Sequence, residues 1–206
     1  MSASRFVRQL AKEGFLDHRR GRLGLVRVQE LLERWRGASN RSVREVSARW
    51  IIRGGETQLQ SAVKSYASRM EAKPLRPEHF RGPRRIDSLS RVCVGLFGAA
   101  ELLGVGFVRG IAPHLYLERA DAEVLKQLGL SLENAERNPD VQIRIPEYKE
   151  SIFRPVVRRA GVPVSDIIQI WLDVSNHPAR GKEQAEQIWK KVLGPALRSG
   201  GDERPT

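Results

Sequence analysis

Two interleaved faces run through residues 2–14, and any fold for this chain has to accommodate both. Ala3, Phe6, Val7, Leu10 and Ala11 recur at three- and four-residue steps, while Arg5, Arg8, Gln9 and Lys12 recur at the same steps on the opposite side. The spacing predicts a helix of about three turns, one face seeking a core and the other seeking anions. Ser2 or Ser4 supplies a start cap, and Gly14 ends the helix where a left-handed residue costs little. Phe15 and Leu16 then open an extended segment, residues 17–22 make a polar turn around Gly21, and Leu23, Leu25 and Val26 carry the chain back. This predicts a β-hairpin with Arg19, Arg20 and Arg22 at its tip. Helical character returns from Glu30 to Trp35, which places Leu31, Leu32 and Trp35 to cover the hairpin and the first helix.

Helix, basic hairpin and capping helix is the order found in a winged helix-turn-helix from its recognition helix onward, so residues 1–37 are expected to form a partial winged helix. A helix fits the major groove, where arginine and glutamine read base edges through paired hydrogen bonds. The hairpin arginines would meanwhile reach phosphates or a narrow minor groove. DNA contacts are therefore expected at Arg5, Arg8, Gln9 and Lys12, with Arg19, Arg20 and Arg22 on the wing. The plainer alternative is an amphipathic surface helix beside a solvated hairpin. A complete unit of this kind needs two more helices, roughly 40 to 50 residues, to bury its apolar face. The expectation is that a preceding segment covers Phe6, Val7 and Leu10, or that they stay exposed.

The 206 residues leave room for one substantial domain and a small appendage. A formal net charge of +12 attracts polyanions, nucleic acid foremost and anionic membrane second. The basic residues are spread along the chain, which weakens the membrane reading and keeps charge alone from locating a site. The one cysteine, Cys93, sits in an apolar run, so no disulfide framework forms within the chain and a reducing cytoplasm is the expected setting. Residues 92–108 are the longest apolar stretch, but they contain Glu101 and four glycines and fall short of the ~20 residues a spanning helix requires. They read as buried core, and no membrane association is expected.

Small, polar residues 36–40 read as a linker into a second domain over residues 38–197. Residues 43–53 are compatible with a strand or a short helix. Residues 56–71 carry a helical stripe of Leu59, Ala62, Val63, Tyr66, Ala67 and Met70, and the proline- and arginine-rich residues 73–85 read as a basic loop. Beyond them strand and helix signals alternate: strand 92–94, helix 96–103, strand 115–117, helix 121–128 ending at Gly129, and strand 141–145. A hairpin is expected from 152–157 and 161–164, then a helix capped by Ser165, then a final helix from Gly181 whose Ala185, Ile188, Trp189, Val192 and Leu193 share a face. The fold class is α/β, in the mixed α+β sense, with helices on at least one face of the sheet. Trp171 and Trp189 are expected to share a core with residues 92–103, and residues 198–206 read as a disordered tail.

Several chemistries can be weighed from the residues. Asp140, Glu147 and Lys149 match in letters a metal-dependent nuclease signature, yet only six residues separate the two acids and Pro146 interrupts the second strand. Gly95 and Gly98 follow a short strand, but no Asp-x-Asp of a nucleotidyltransferase and no phosphate-loop lysine accompany them, so they are expected to permit close packing. His18, His79, His114 and His177 are scattered without ligand spacing, and no serine lies in a nucleophile elbow. No catalytic residue, metal or cofactor is expected. Asp173, His177 and Arg180 form the most site-like polar group left, with Asp173 and Arg180 expected to lock the turn at Gly181 by pairing with backbone or each other.

The C-terminal half resembles a known family. Residues 92–100, residues 115–118, residues 141–146, Ile168-Gln169-Ile170-Trp171-Leu172-Asp173 and Arg180-Gly181-Lys182-Glu183-Gln184-Ala185 are similar to AbiEi-type antitoxins, the transcriptional regulators of type IV toxin-antitoxin systems. The resemblance extends from about residue 2 to 197 and is most specific in the Leu-Asp and Arg-Gly-x-Glu-Gln-Ala portions. It implies a winged helix that binds double-stranded promoter DNA and represses its own operon. It also implies an antitoxin domain that counters a nucleotidyltransferase-like toxin without requiring a stable complex. The family's DNA-reading role falls on Arg5, Arg8, Gln9 and Lys12, with Arg19, Arg20 and Arg22 on the wing. The chain departs from the pattern in its opening helices, which bears on tight operator binding. The alternatives are a general nucleic-acid-binding protein and a divergent nuclease or nucleotidyltransferase-like enzyme.

Overall fold

The amphipathic pattern at the start becomes helix α1 (Ala3–Lys12), followed by the hairpin strands β1 (Leu16–Arg19) and β2 (Arg22–Leu25) and helix α2 (Val28–Ala38). The computed structural model describes residues 3–19, 22–38, 43–52, 55–71 and 90–199. Gly14 ends α1 at φ +74°, and its N–H and that of Phe15 reach back to the carbonyls of Ala11 and Leu10. In the hairpin Leu16 pairs with Leu25 and Arg19 with Arg22, while Arg20 and Gly21 lie outside the described residues. The residues read as a linker partly continue the helix, since Arg36, Gly37 and Ala38 belong to α2.

The ambiguous segment after it is a strand, β3 (Val43–Trp50), because its alternation puts Val46 and Ala48 on one face and Glu45 and Ser47 on the other. Helix α3 (Glu56–Glu71) leads to β4 (Val92–Gly95), α4 (Leu96–Leu102), β5 (His114–Leu117), α5 (Ala122–Leu128), β6 (Leu130–Ser131) and β7 (Val141–Pro146). Asp121 caps α5 by accepting from the Val124 N–H, and Gly129 ends it at φ +72°. Next come α6 (Lys149–Phe153), β8 (Val157–Arg159), β9 (Val162–Val164), α7 (Ile167–Ser175) and α8 (Gly181–Ile188), a π-helical turn (Trp189–Leu193) and α9 (Gly194–Ser199).

Seven strands form one mixed sheet in the order β6-β3-β7-β5-β4-β9-β8, with β5 parallel to β7, β4 parallel to β9 and the other pairs antiparallel. Helices and a mixed sheet together make this an α+β fold. Cross-strand pairing gathers Ala48, Val141, Ile143, Leu115 and Val94 on one face, where Leu59, Val63, Tyr66 and Ala67 of α3 join them in the main core. On the opposite face the same pairing gathers Glu45, Arg144, Tyr116, Cys93 and His114. Ile152 and Phe153 of α6 pack on Cys93 and Tyr116 there.

Four local expectations are corrected. The first arm of the hairpin expected at 152–157 is a strand only from Val157, where β8 begins; Ile152 and Phe153 end helix α6, because they must turn together onto Tyr116, which an alternating strand cannot do. Helix α7 is capped by Asp166, whose Oδ1 accepts from the Ile168 and Gln169 N–H groups at 2.9 and 3.2 Å, while the Ser165 hydroxyl donates to the Val94 carbonyl. The final helix is interrupted by the π-helical turn, where the Gly194 N–H reaches the Trp189 carbonyl. Arg198 and Ser199, expected in the tail, belong to α9, and the rest of the tail lies outside the described residues. Trp171 is buried in the core and Trp189 packs half-buried against it, their ring centroids 5.7 Å apart.

Candidate nucleic-acid interface

Arg5, Arg8, Gln9 and Lys12 are all exposed on α1, at steps that give them one helical face. Arg8 folds back on the first turn, donating to the Ser4 carbonyl at 3.4 Å and the Ser4 hydroxyl at 3.3 Å. Gln9 donates to Glu13, and Glu13 also receives Arg34 from α2. Arg34 first and Gln9 second hold the Glu13 carboxyl below its ordinary range. Gln9 must therefore leave Glu13 before it can pair with a base edge. The structure places Arg19 and Arg22 opposite each other at the ends of β1 and β2, and Arg20, expected on the wing, lies outside the described residues.

The position of α1 is set from behind. Phe15 is buried under the Arg27 guanidinium, whose carbon lies 5.1 Å from the ring centroid, and Arg27 pairs with Glu30. Leu31 and Leu32 are buried, as the sequence anticipates, and Leu32 joins the main core below α2. Trp35 and Phe6 remain nearly half exposed, at 45% and 44%. Asn176 at the end of α7 donates to the Arg36 carbonyl at 3.2 Å, tying α2 to the sheet domain.

The polar turn residues are not brought together as expected. Asp173 is buried and receives the Tyr116 hydroxyl at 2.9 Å, Gln169 Nε2 at 2.9 Å and Arg144 Nη1 at 2.9 Å. Arg144, also buried, donates to the Tyr116 hydroxyl at 2.8 Å and pairs through Nε with Glu45 at 3.0 Å. Arg180 instead adopts φ +50° and lies over Phe107, 5.2 Å from its centroid. Gly181 is fixed by sterics, since a Cβ there would stand 2.0 Å from the Val174 carbonyl oxygen. Helix α7 carries Asp173 toward the sheet while Arg180 sits on the far side of the turn, so burial of the carboxylate selects Arg144 as its partner.

Burial pushes the Asp173 carboxyl up, against the pull of Arg144 and three hydrogen bonds. Burial also works against charge on Arg144, but Asp173, Tyr116 and Glu45 outweigh it and raise its pKa. Three donors converging on one carboxylate describe an ionised pair. The centre of the network, Asp173, Tyr116 and Arg144, is buried while Glu45 meets Arg144 from the exposed side, and the whole cross-links β3, β5 and β7 to α7. Sequence reasoning missed Arg144, Tyr116, Gln169 and Glu45 as its members; the available signal was a single charged residue within strand 141–145, where the other polar residue, Gln142, is neutral.

His114 lies beside this network, edge-to-face with His177 at 5.6 Å. Burial first, then Arg144 and His177, lower its pKa to about 4. An unfolded histidine takes up a proton near pH 6.5, so the stability His114 contributes above that pH is lost as pH falls toward 4. The loss should reach about 3 kcal/mol. Urea denaturation at about pH 7.5 and 4.5 checks it, with wild type losing more stability on acidification than His114→Phe. An equal loss in the two proteins would mean that His114 is not held neutral.

The residues weighed for enzyme chemistry are dispersed. Asp140 and Glu147 flank β7 at opposite ends, about 20 Å apart by strand length, and Asp140 is taken by the Trp50 N–H at 3.0 Å. A Cβ on Gly95 would stand 3.0 Å from the Tyr116 ring and one on Gly98 3.2 Å from Val94, so both glycines serve close packing. Among the described residues no group of three His, Cys, Asp or Glu is placed to hold a metal ion, and no helix is long and apolar enough to cross a membrane. In comparisons with known proteins, no family model, curated protein or solved structure matched the chain.

Proposed function

We propose that this chain is a cytoplasmic DNA-binding transcriptional regulator of the AbiEi antitoxin kind. In this reading it recognises double-stranded promoter DNA of its own operon, opposes a nucleotidyltransferase-like toxin and carries no catalysis of its own. The observation that supports it most is the exposed face of α1, where Arg5, Arg8, Gln9 and Lys12 stand together beside a hairpin with Arg19 and Arg22 at its end. Cations with hydrogen-bonding forks on a rigid helix suit base-edge readout, and the hairpin cations suit phosphates. The antitoxin part rests on the resemblance of the C-terminal half. In the motif most specific to it, Gly181, Gln184 and Ala185 are all buried, and Gln184 bridges the Phe107 N–H and the Val105 carbonyl. Those motif residues are thereby given packing roles.

Fluorescence anisotropy with a duplex from the region upstream of the native gene tests the reading against a shuffled duplex. Binding to the native duplex should be tighter by about a hundredfold or more at physiological salt. Equal affinity for the two would remove the regulator reading. The net charge of +12, spread along the chain, would then favour general nucleic-acid binding.

A further inference from the structure

The strongest feature outside the basic face is a cleft of about 770 Å³ between the two helices of the N-terminal unit and the sheet domain. Phe6 of α1 and Trp35 of α2 form one wall; Tyr148, Ile152, Ile168 and Leu172 contribute to the other. Its size is that of a small-molecule site, and three of its side chains, Phe6, Trp35 and Tyr148, are aromatic and substantially exposed. Asp166 is the single charged residue lining it, in a protein of net charge +12.

The Asp166 carboxylate is engaged by backbone alone. Its Oδ1 accepts both N–H groups at the start of α7, its own backbone N–H also donates to it, and no side chain pairs with it among the described residues. Asp166 takes part in no ion pair among them, and burial raises its pKa. Gln169 stands next to it in the cleft, with its amide nitrogen committed to Asp173 and its carbonyl oxygen available as a second acceptor. Aromatic faces and a carboxylate around an apolar floor are the recognition set for a cation embedded in a hydrophobic body. An anionic ligand would meet Asp166 without a compensating cation among the lining residues.

We infer that this cleft binds a small amphiphilic organic cation, its charge beside Asp166 and its apolar body between Phe6, Trp35 and Tyr148. The inference goes beyond the reading of α1 as a DNA helix and does not rest on it. Because Phe6 and Trp35 belong to the N-terminal unit and Asp166 to α7, the occupant would bridge the two parts of the chain.

Tetraphenylphosphonium and tetraphenylborate provide the test, since they share a shape and differ in the sign of charge. Isothermal titration of the whole chain, without DNA, should show saturable phosphonium binding at one site. The borate should bind at least about tenfold more weakly, although the net charge of the protein favours anions. Asp166→Asn keeps an acceptor for the α7 cap and should lower phosphonium affinity by about tenfold, abolishing the preference. Tyr148→Ala, at a position 65% exposed, should weaken both ions and keeps the test decisive if the first variant folds poorly. The inference is overturned by absence of saturable phosphonium binding below about 1 mM, by tighter binding of the borate, or by phosphonium affinity unchanged in both variants. None of these outcomes depends on whether the chain binds DNA.

Discussion

Asp173→Ala is expected to destabilise the protein by about 3–5 kcal/mol, the cost of leaving a buried arginine without its carboxylate. Arg144 would keep the Tyr116 hydroxyl and, as counter-charge, Glu45, whose side chain is 54% exposed, and the Tyr116 hydroxyl would lose its acceptor inside the sheet face. Arg144→Met should be equally damaging for the mirror-image reason. The combined Arg144→Met, Asp173→Leu and Tyr116→Phe chain should recover much of the loss, because apolar side chains of similar volume remove the desolvation cost along with the attraction. Equilibrium urea denaturation of the four proteins measures this directly. A loss below about 1 kcal/mol for Asp173→Ala would mean that water reaches the network and screens it.

This network also marks the boundary of what the sequence discloses. Elements whose burial follows local periodicity were legible: the stripe of α3, the amphipathic α1 with its Gly14 ending, and the strands around residues 93, 116 and 143. Partners chosen by tertiary geometry were not. Asp173 is the third residue from the end of an apolar helix, and nothing local says that it faces a strand residue 29 positions earlier rather than Arg180. Arg144 follows the alternation of a strand with one wet face, yet it is buried where Asp173 of α7 meets that face and α6 packs beside it on Tyr116. The helix at 149–153 was hidden for a related reason, since a short apolar run flanked by polar residues suits a strand until its neighbours decide otherwise. Of the candidate interface, the residues on α1 could be read in advance. The Glu13 contacts that restrain Gln9 required the approach of α2.

Salt should act strongly on DNA binding, and the two sets of basic residues should fail in different ways. Arg5, Arg8 and Lys12 on α1, Arg19 and Arg22 at the hairpin strand ends, and Arg20 next to Arg19 in sequence are six cations. If all six displace counterions, affinity should fall roughly a thousandfold between about 50 and 200 mM monovalent salt. Arg20→Ala should weaken every duplex alike and flatten the dependence of log affinity on log salt by about one. Arg8→Ala or Gln9→Ala should instead cost about 1–3 kcal/mol on the native duplex and narrow its advantage over a shuffled one, because these side chains are placed to read base edges. Glu13→Gln provides an internal control. It removes the charge that receives both Gln9 and Arg34, so Gln9 should be released more readily and native-duplex affinity should rise. Anisotropy titrations across salt for the five proteins separate these effects. A salt-independent affinity, or a specificity ratio unchanged by both Arg8→Ala and Gln9→Ala, would take base readout away from α1.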